Sequence, residues 1–361
     1  MNAFESLVSL NLIPQIGSVR LENLLKYFEK PENIFKASRQ DLVAAAGEQI
    51  GQGIASFEQK LLEKDLALAK KSGIKIITLF DQDYPRLLKE IPGAPIVLYV
   101  SGKITESDNL SIGIVGSRRA SLYGLNSAEK FSAELSAQGI TIVSGMARGV
   151  DTCAHRGALK ARGRTIAVMG SGFSHIYPSE NAGLAKKISE SGAVISEFPM
   201  ETKPLPQNFP RRNRLISGLS LGVLIAEAAR NSGALITADF ALEQGRDVFA
   251  LPGRIDSCGS TGANALLKQG AKLVTCCADI LEELNLSMVN IRKSGGPVIK
   301  QKIACEKDEG ILYDCLSRQA VGIDDLMERT SLTAAKIAAL ILKLQFKKLI
   351  KELPGKQFMR N

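Results

Sequence analysis

Short runs of β-branched and apolar residues recur along the middle of the chain, and most gaps between them hold apolar residues at helical spacing. The runs are 74–80, 95–100, 112–116, 140–145, 165–170, 193–197, 222–228, 247–253 and 272–275. Alternation of such runs with amphipathic helices is typical of βαβ units around a parallel sheet. The pattern predicts an α/β fold, with an extended Rossmann-like, doubly wound parallel sheet over residues 71–285.

Residues 1–70 lack these runs, and their pattern predicts a small helical module. In "IPQIGSVRLENLLKYF" a Pro-x-x-Gly turn precedes apolar residues at helical spacing, among them Leu21, Leu24 and Phe28. This is typical of a helix-hairpin-helix-like or SAM-like module. Its turn either offers backbone N–H groups to a DNA phosphate or only packs two helices together, and the residues leave both open.

The C-terminal part of the chain changes pattern again. Residues 286–304 combine Gly-Gly-Pro with mixed basic and polar residues and no periodicity, which predicts a linker. Residues 305–361 hold three helical stretches followed by a hairpin pattern with Pro354-Gly355 at its turn, which predicts a winged helix. Basic residues outnumber acidic ones from Thr330 onward, which suits either phosphate contacts or a merely solvated face.

The composition is that of a water-soluble globular protein. Of 361 residues, 45% are hydrophobic and 23% charged, and no apolar run approaches the roughly 20 residues of a membrane span. The N-terminal stretch has no secretory signal pattern, so we expect a cytoplasmic protein with no membrane partner. The six cysteines form no Cys-x-x-Cys pair and there are only two histidines, so we expect reduced cysteines and no metal site. The formal net charge of +9 favours a polyanionic partner without identifying it.

Four predicted strands end in loops of small residues that lead into a helix. The loops are "GSRR" (116–119), "SGMARG" (144–149), "GSGF" (170–173) and "NSGA" (231–234). Glycine lets a phosphate approach the backbone, serine adds a hydroxyl donor, and the helix start carries free N–H groups. Ligands of parallel sheets bind at the carboxyl ends of the strands. We therefore expect an anion site that includes Gly116, Ser117, Ser144 and Gly145.

Arginines and one asparagine are predicted at the same edge. We expect phosphate contacts from Arg118, Arg148, Arg211, Arg212, Asn213 and Arg214. Guanidinium groups make forked, permanently charged contacts with phosphate oxygens. Pairing with an internal carboxylate such as Glu197 or Glu227 is the alternative for any single arginine. Phe209, beside the arginines, either stacks on a base or packs in the interior.

No familiar catalytic pattern accompanies these residues. His155 and His175 have no nucleophile in a recognisable elbow, and Ser144 lacks the G-x-S-x-G context. We expect Asp151 and His155, four apart on a predicted helix, to form a structural hydrogen bond rather than an acid/base pair. The chain has no Walker A lysine and no properly spaced G-x-G-x-x-G, which argues against P-loop hydrolysis. We predict no catalytic site and no cofactor.

Taken in order, the motifs resemble those of a known family. They are "GIVGSRRAS", "IVSGMARGVDTCAHRGAL", "TIAVMGSGFSHIYPSEN", "ISEFP", "NFPRRNRLISGLSLGVLIAEA", "SGALITADFALEQGRDVFALPG" and "GSTGANALLKQGAKLV". This order is similar to that of DprA, or Smf, the DNA-processing protein family. The similarity is dense over 112–275 and looser in both end modules.

The resemblance implies a non-catalytic protein that binds single-stranded DNA and dimerises through its Rossmann-like domain. It also implies that the protein protects incoming DNA and helps to load the RecA recombinase on it during natural transformation. The family's phosphate-binding residues fall on Gly116, Ser117, Arg118, Ser144, Gly145, Ala147, Gly149, Arg211, Arg212, Asn213 and Arg214. The expected partners are therefore single-stranded DNA, RecA and a second copy of the chain.

Two other functions compete with this one. Nucleotide hydrolases of the lysine-decarboxylase-like family also carry a Gly-Ser-Arg loop on a Rossmann sheet. They continue with P-G-G-x-G-T-x-x-E, which positions a catalytic glutamate, where this chain has "NSGALITADFALEQG". A duplex-binding regulator would instead use the winged helix as its main DNA-binding device.

Overall fold

A computed structural model of the chain describes residues 1–286, 307–316, 321–330, 332–346, 350–353 and 357–360. The predicted linker at 286–304 lies outside these residues except for Leu286. No helix in the described ranges combines the length and apolar character that crossing a membrane requires. The chain divides into two compact units, Met1–Gly296 and Pro297–Asn361.

The first unit is a large sheet covered by helices. Within residues 1–286 the helices are α1 (Ala3–Leu12), α2 (Ser18–Phe28), α3 (Pro31–Ile34), α4 (Arg39–Ala46), α5 (Glu48–Ala55), α6 (Gln59–Lys71), α7 (Arg86–Lys89), α8 (Leu122–Ala137), α9 (Val150–Lys160), α10 (Ala182–Ser191), α11 (Asn208–Gly218), α12 (Gly233–Glu243), α13 (Thr261–Lys268) and α14 (Cys277–Glu283). The strands are β1 (Lys75–Thr78), β2 (Val97–Gly102), β3 (Ser111–Val115), β4 (Thr141–Ser144), β5 (Thr165–Val168), β6 (Ala193–Ser196), β7 (Gly222–Ile225), β8 (Asp247–Ala250) and β9 (Lys272–Leu273). Each of the predicted apolar runs overlaps one of these strands.

The strands form one sheet in the order β1-β2-β6-β5-β4-β3-β7-β8-β9. The pairs from β6 to β9 are parallel. At the other edge the structure differs from the predicted parallel sheet, because β2 runs antiparallel to both β1 and β6. Apolar runs of this length do not encode strand direction, and here the connections decide it.

Helices cover both faces of the sheet, so the doubly wound prediction is confirmed. On one face α8, α9 and α14 pack their apolar residues, such as Phe131, Leu135 and Ala154, against β3, β4 and β7. On the other face α11, α12 and α13 pack against the same sheet through residues such as Leu215 and Ala238. Burial of each large apolar side chain contributes about 1.5–3 kcal/mol.

The N-terminal helices pack on β2 and share an apolar cluster with it. Tyr99 of β2 donates its hydroxyl hydrogen to Asp65 of α6 at 2.6 Å, and the other Asp65 oxygen accepts from Met200 N at 2.8 Å. The predicted Pro-x-x-Gly turn joins α1 and α2, with Gln15 at a positive φ of 71°. Contact of this turn with DNA stays a prediction, as does a domain boundary at residue 70.

The second unit has the helix and strand order of a winged helix. Its elements are α15 (Lys307–Cys315), β10 (Val321–Gly322), α16 (Ile323–Thr330), α17 (Ala334–Phe346), β11 (Ile350–Leu353) and β12 (Gln357–Arg360). The sheet order is β10-β12-β11. Sequence reasoning missed β10, because two residues are too few to show an alternating pattern. The predicted turn at Pro354-Gly355 lies outside the described residues.

Candidate nucleic-acid interface

The carboxyl ends of the parallel strands define the candidate site. Strand β3 lies between β4 and β7. The chain therefore runs outward from β3 through β4, β5 and β6 on one side and through β7, β8 and β9 on the other. Ligands of open α/β sheets bind in the crevice that such a switch point creates. A cleft of about 710 Å³ lies there, lined by α11 and by the loops after β3, β4 and β7. We call it the switch-point cleft.

The loop after β3 forms one wall of the cleft and is fixed by its backbone. Ser117 N donates to the Glu227 carbonyl at 2.7 Å, and Val150 N donates to the Ser117 carbonyl at 3.3 Å. A Cβ on Gly116 would lie 2.7 Å from Val150 Cγ2 and 2.8 Å from the Glu227 carbonyl oxygen, so a larger residue would displace the loop. Arg118 is exposed at this wall. The permanent positive charge of Arg118 thus faces solvent from a loop that backbone hydrogen bonds fix in place.

The loop after β4 approaches the first loop closely. Gly149 has a φ of +75°, and a Cβ there would overlap the carbonyl oxygen of the β3 loop, which explains the glycine. Ser144 is fully buried and donates its hydroxyl hydrogen to the Ile114 carbonyl at 2.7 Å. Arg148 is exposed, and its Nε donates to Glu180. Ser144 thus has an internal acceptor instead of facing the cleft.

Arg212 lines the cleft from α11 but is only 3% exposed. Its Nη1 donates to the Gly145 carbonyl at 2.6 Å and also to the Val168 carbonyl. The pKa of Arg212 is lowered to about 10, mainly by burial, with the nearby Asp151 opposing the shift and the neighbouring Arg118 adding to it. Arg212 is therefore charged at neutral pH and stabilises the ends of β4 and β5. A direct phosphate contact from Arg212 stays a prediction, and the observed hydrogen bonds do not support it.

The remaining arginines of α11 share one carboxylate. Arg211 Nη2 lies 3.1 Å from Glu197 Oε2, and Arg214 Nη2 donates to the same oxygen. Arg214 also donates to the Gly93 carbonyl at 2.6 Å. The Arg211 side chain is 50% exposed and that of Arg214 only 16%. Pairing with Glu197, the alternative considered for single arginines, thus occurs at both positions, and only Arg211 keeps a large solvent-accessible part.

An aromatic cluster forms the rim beside Arg118. The Arg118 guanidinium carbon lies 5.2 Å from the centre of the Phe209 ring, within the range of a cation–π contact. The Tyr177 ring centre lies 5.5 Å from that of Phe209, at an interplanar angle of 53°. Phe209 also packs over Gly170, where a Cβ would lie 2.8 Å from its Cδ1. Phe209 is therefore half-buried: it packs against the interior and also forms part of the cleft rim.

The loop after β7 and the start of α12 form the opposite wall. Ser232 caps α12 by accepting from Ala234 N at 3.3 Å. Asn213 of α11 reaches this wall and donates to the Gly233 carbonyl at 3.2 Å. The N-terminus of an eleven-residue helix thus faces the cleft, and such a terminus carries a partial positive charge.

The remaining small-residue loop, 170–173, does not line the switch-point cleft. Ser171 donates its hydroxyl hydrogen to the His175 carbonyl at 2.6 Å. A Cβ on Gly172 would overlap the Pro199 carbonyl oxygen, so this glycine permits chain packing. The four loops look alike in sequence because glycine serves close packing as readily as phosphate approach.

The prediction of a hydrogen bond between Asp151 and His155 is wrong. The His155 Nδ1 shares a 2.7 Å hydrogen bond with Thr165 Oγ1 across to β5, and Asp151 accepts from Ala147 N at 3.3 Å. Burial raises the pKa of Asp151, and burial lowers the pKa of His155 to about 3, with Arg212 adding to that lowering. Both side chains are buried and serve to hold neighbouring elements.

The predicted residues thus fall into three groups. Those that line the switch-point cleft are Gly116, Ser117, Arg118, Phe209, Arg212 and Asn213. Gly145 and Arg148 line a smaller adjacent depression. The residues Ser144, Arg211 and Arg214 line neither.

The sequence and the fold match one family of known proteins. The model of DNA recombination-mediator protein A matches residues 75–285, and that of the DprA winged helix domain matches 301–356. The chain belongs to the DprA family. Protein Smf of Escherichia coli is 45% identical over 66% of this chain and 64% of its own length. DprA of Bacillus subtilis is 43% identical over 68% of this chain and 82% of its own.

Solved DprA structures share the fold. DprA of Streptococcus pneumoniae superposes with a TM-score of 0.68 at 34% identity, over 78% of this chain and 98% of that one. DNA processing protein A of Helicobacter pylori, described for its single-stranded DNA binding mode, gives 0.53 at 30% identity, over 60% of this chain and 98% of that one.

The structure also adds residues to the cleft of this DprA-family chain that sequence reasoning missed. They are Tyr177 at the rim and Ile236 at the β7–α12 wall. Tyr177 is 39% exposed. The sequence signal that could have indicated it is an aromatic residue before a proline in the loop "SHIYPSEN". Arg119, in the same "GSRR" loop as Arg118, lines the cleft as well.

Proposed function

We propose that this protein is a non-catalytic recombination mediator that binds single-stranded DNA in the switch-point cleft. The main support for this proposal is that exposed Arg118 and Arg119 lie on one wall of the cleft and the N-terminus of α12 lies on the opposite wall. Both are groups that attract phosphate. The described binding of single-stranded DNA by the Helicobacter pylori relative supports the same ligand class.

Within the proposed interface, Arg118 and Asn213 contact phosphates, and Arg211 adds a contact only when its pairing with Glu197 is released. Gly116, Ser117 and Gly145 give the backbone the shape that lets a strand approach. Arg212 and Arg214 hold the cleft in place through their internal acceptors, and Ser144 does so through Ile114. Arg148 lies in the adjacent smaller depression, where it pairs with Glu180.

A single strand suits this site better than a duplex. A concave cleft of about 710 Å³ accommodates a flexible backbone and unstacked bases, whereas a duplex is a rigid rod. The rings of Phe209 and Tyr177 at the rim offer apolar faces to a base.

We also propose that the protein acts as a dimer through its Rossmann-like domain, protects incoming DNA and loads RecA on it during natural transformation. Family membership supports this role. Its test is strand exchange by RecA on DNA precoated with a single-strand binding protein, where addition of this protein is expected to shorten the lag. An unchanged lag would contradict the mediator role but not DNA binding.

The binding proposal is tested by fluorescence anisotropy of the full chain with labelled oligo-dT and with duplex of equal length, across a salt series. We expect preference for the single strand, affinity that falls steeply with salt, and about a 10- to 100-fold loss for Arg118→Ala, the size of a lost charge-assisted hydrogen bond. A chain ending at Leu286 should keep most binding. Duplex preference that disappears with this truncation would favour the winged helix as the main DNA-binding device.

A further inference from the structure

A second basic surface lies beside the switch-point cleft, between α9 and α10. It is a groove of about 460 Å³ whose lining includes Arg156, Lys160, Glu180 and Lys187. Arg156 and Lys160 are four apart on α9 and therefore share one face of that helix. Lys187 approaches from α10. We call this surface the α9–α10 groove.

One ion pair, Arg148–Glu180, links the groove to the smaller depression beside the switch-point cleft. The smaller depression shares Arg118, Tyr177 and Phe209 with the cleft and is also lined by Arg148. Arg148 Nε donates to Glu180, and Glu180 lines the groove. A strand that leaves the cleft past Arg148 would therefore reach the groove at Glu180.

The charges of the groove are available to a ligand. Arg156 and Lys187 are exposed, and within residues 1–286 neither forms an ion pair. Lys160 pairs with Glu129 at 3.1 Å, but its side chain is 77% exposed, and such surface pairs contribute little. The one carboxylate that lines the groove, Glu180, is already paired with Arg148. The groove thus presents an excess of positive charge.

We propose that the α9–α10 groove binds phosphates of the same DNA strand after it leaves the switch-point cleft. The inference rests on the proposed function, and it adds the path of the DNA strand and the number of nucleotides that the protein covers. The α9 helix has 11 residues and is therefore about 16 Å long at ~1.5 Å per residue, so a strand following it passes several phosphates. A strand long enough to reach the groove gains contacts that a short oligonucleotide filling only the cleft does not.

The test compares a short oligo-dT that fills only the cleft, about six nucleotides long, with one of about twenty nucleotides. The full-length variant Arg156→Ala/Lys187→Ala is expected to bind the long strand about tenfold more weakly, with a salt slope shallower by about 1.4 for two lost contacts at ~0.7 each. Its affinity for the short strand should equal that of the unmodified protein. Lys70→Ala/Lys71→Ala, which removes two exposed charges on α6, is the matched control and should leave both affinities unchanged.

Three outcomes would overturn the proposal: equal affinity of the unmodified protein for both lengths, an unchanged long-strand affinity in the groove variant, or equal losses for both strands. Arg118→Ala separates the two ideas. If Arg118→Ala weakens both lengths while the groove variant weakens neither, the cleft binds DNA and the groove does not. If Arg118→Ala has no effect on either length, the cleft proposal itself fails.

Discussion

The loop after β3 and helix α11 bring arginines to the same cleft in opposite ways. In the loop, backbone hydrogen bonds fix the chain and Arg118 remains exposed. In α11, Arg212 and Arg214 donate to carbonyls and to Glu197 inside the protein. An arginine that satisfies buried carbonyls cannot at the same time offer those N–H groups to a ligand. The loop therefore supplies the binding charge and the helix supplies the support.

The largest effect is expected from removing the buried charge of α11. Arg212→Ala leaves the Gly145 and Val168 carbonyls without their donor and Asp151 without its neighbouring cation. Breaking a buried charge network typically costs about 3–5 kcal/mol. Urea unfolding should show a loss of that size for Arg212→Ala and a change within about 0.5 kcal/mol for the exposed control Arg119→Ala.

Equal stability of the Arg212→Ala and Arg119→Ala variants would contradict the supporting role of α11. Arg212→Lys refines the result, because lysine keeps the charge but not the forked geometry. An intermediate loss in Arg212→Lys would show that both the charge and the paired carbonyls contribute.

Acid should destabilise the same buried region through His155. The folded pKa of His155 is about 3, below its ordinary value of 6.5, so the unfolded chain binds more protons between these values. The free energy of unfolding from this group therefore falls as the pH drops below 6.5, by about 1.4 kcal/mol per pH unit. Between pH 7 and pH 5 the unmodified protein should lose about 2 kcal/mol more than His155→Gln.

The difference between the two proteins isolates this histidine. Asp151 acts in the opposite direction, since its pKa is raised by burial, but it is present in both proteins. Parallel stability curves from urea unfolding at several pH values would show that His155 is not the neutral buried group described above.

Sequence reasoning found the strands and the small-residue loops that follow them, because β-branched runs and small-residue turns are local signals. It could not separate Arg118 from Arg212, since their difference arises from distant carbonyls at Gly145 and Val168. The antiparallel placement of β2 likewise depends on a partner far along the chain. Tyr177 lies at the cleft beside Phe209, a contact between residues far apart in the sequence.

A smaller effect distinguishes two roles of Phe209. Phe209→Leu keeps apolar packing over Gly170 but removes the ring under Arg118. Loss of a cation–π contact at a partly exposed site is worth about 0.5–1 kcal/mol, so single-strand affinity should fall about two- to fivefold. If Phe209 acts by positioning Arg118, the substitution should have no further effect in an Arg118→Ala background. An undiminished effect in that background would mean that the ring contacts the base directly.

The smallest expected change comes from releasing an α11 arginine, so that it is available for binding as Arg118 is. Glu197→Gln removes the charge that Arg211 and Arg214 share, and the half-exposed Arg211 is then free to contact a phosphate. We expect single-strand affinity to rise about twofold and the salt slope to steepen by about 0.7, the value of one added contact. Arg211→Ala in the Glu197→Gln background should return the slope to its original value. A slope that Glu197→Gln leaves unchanged would place the strand away from Arg211, so that the β3 loop alone would carry the binding charge.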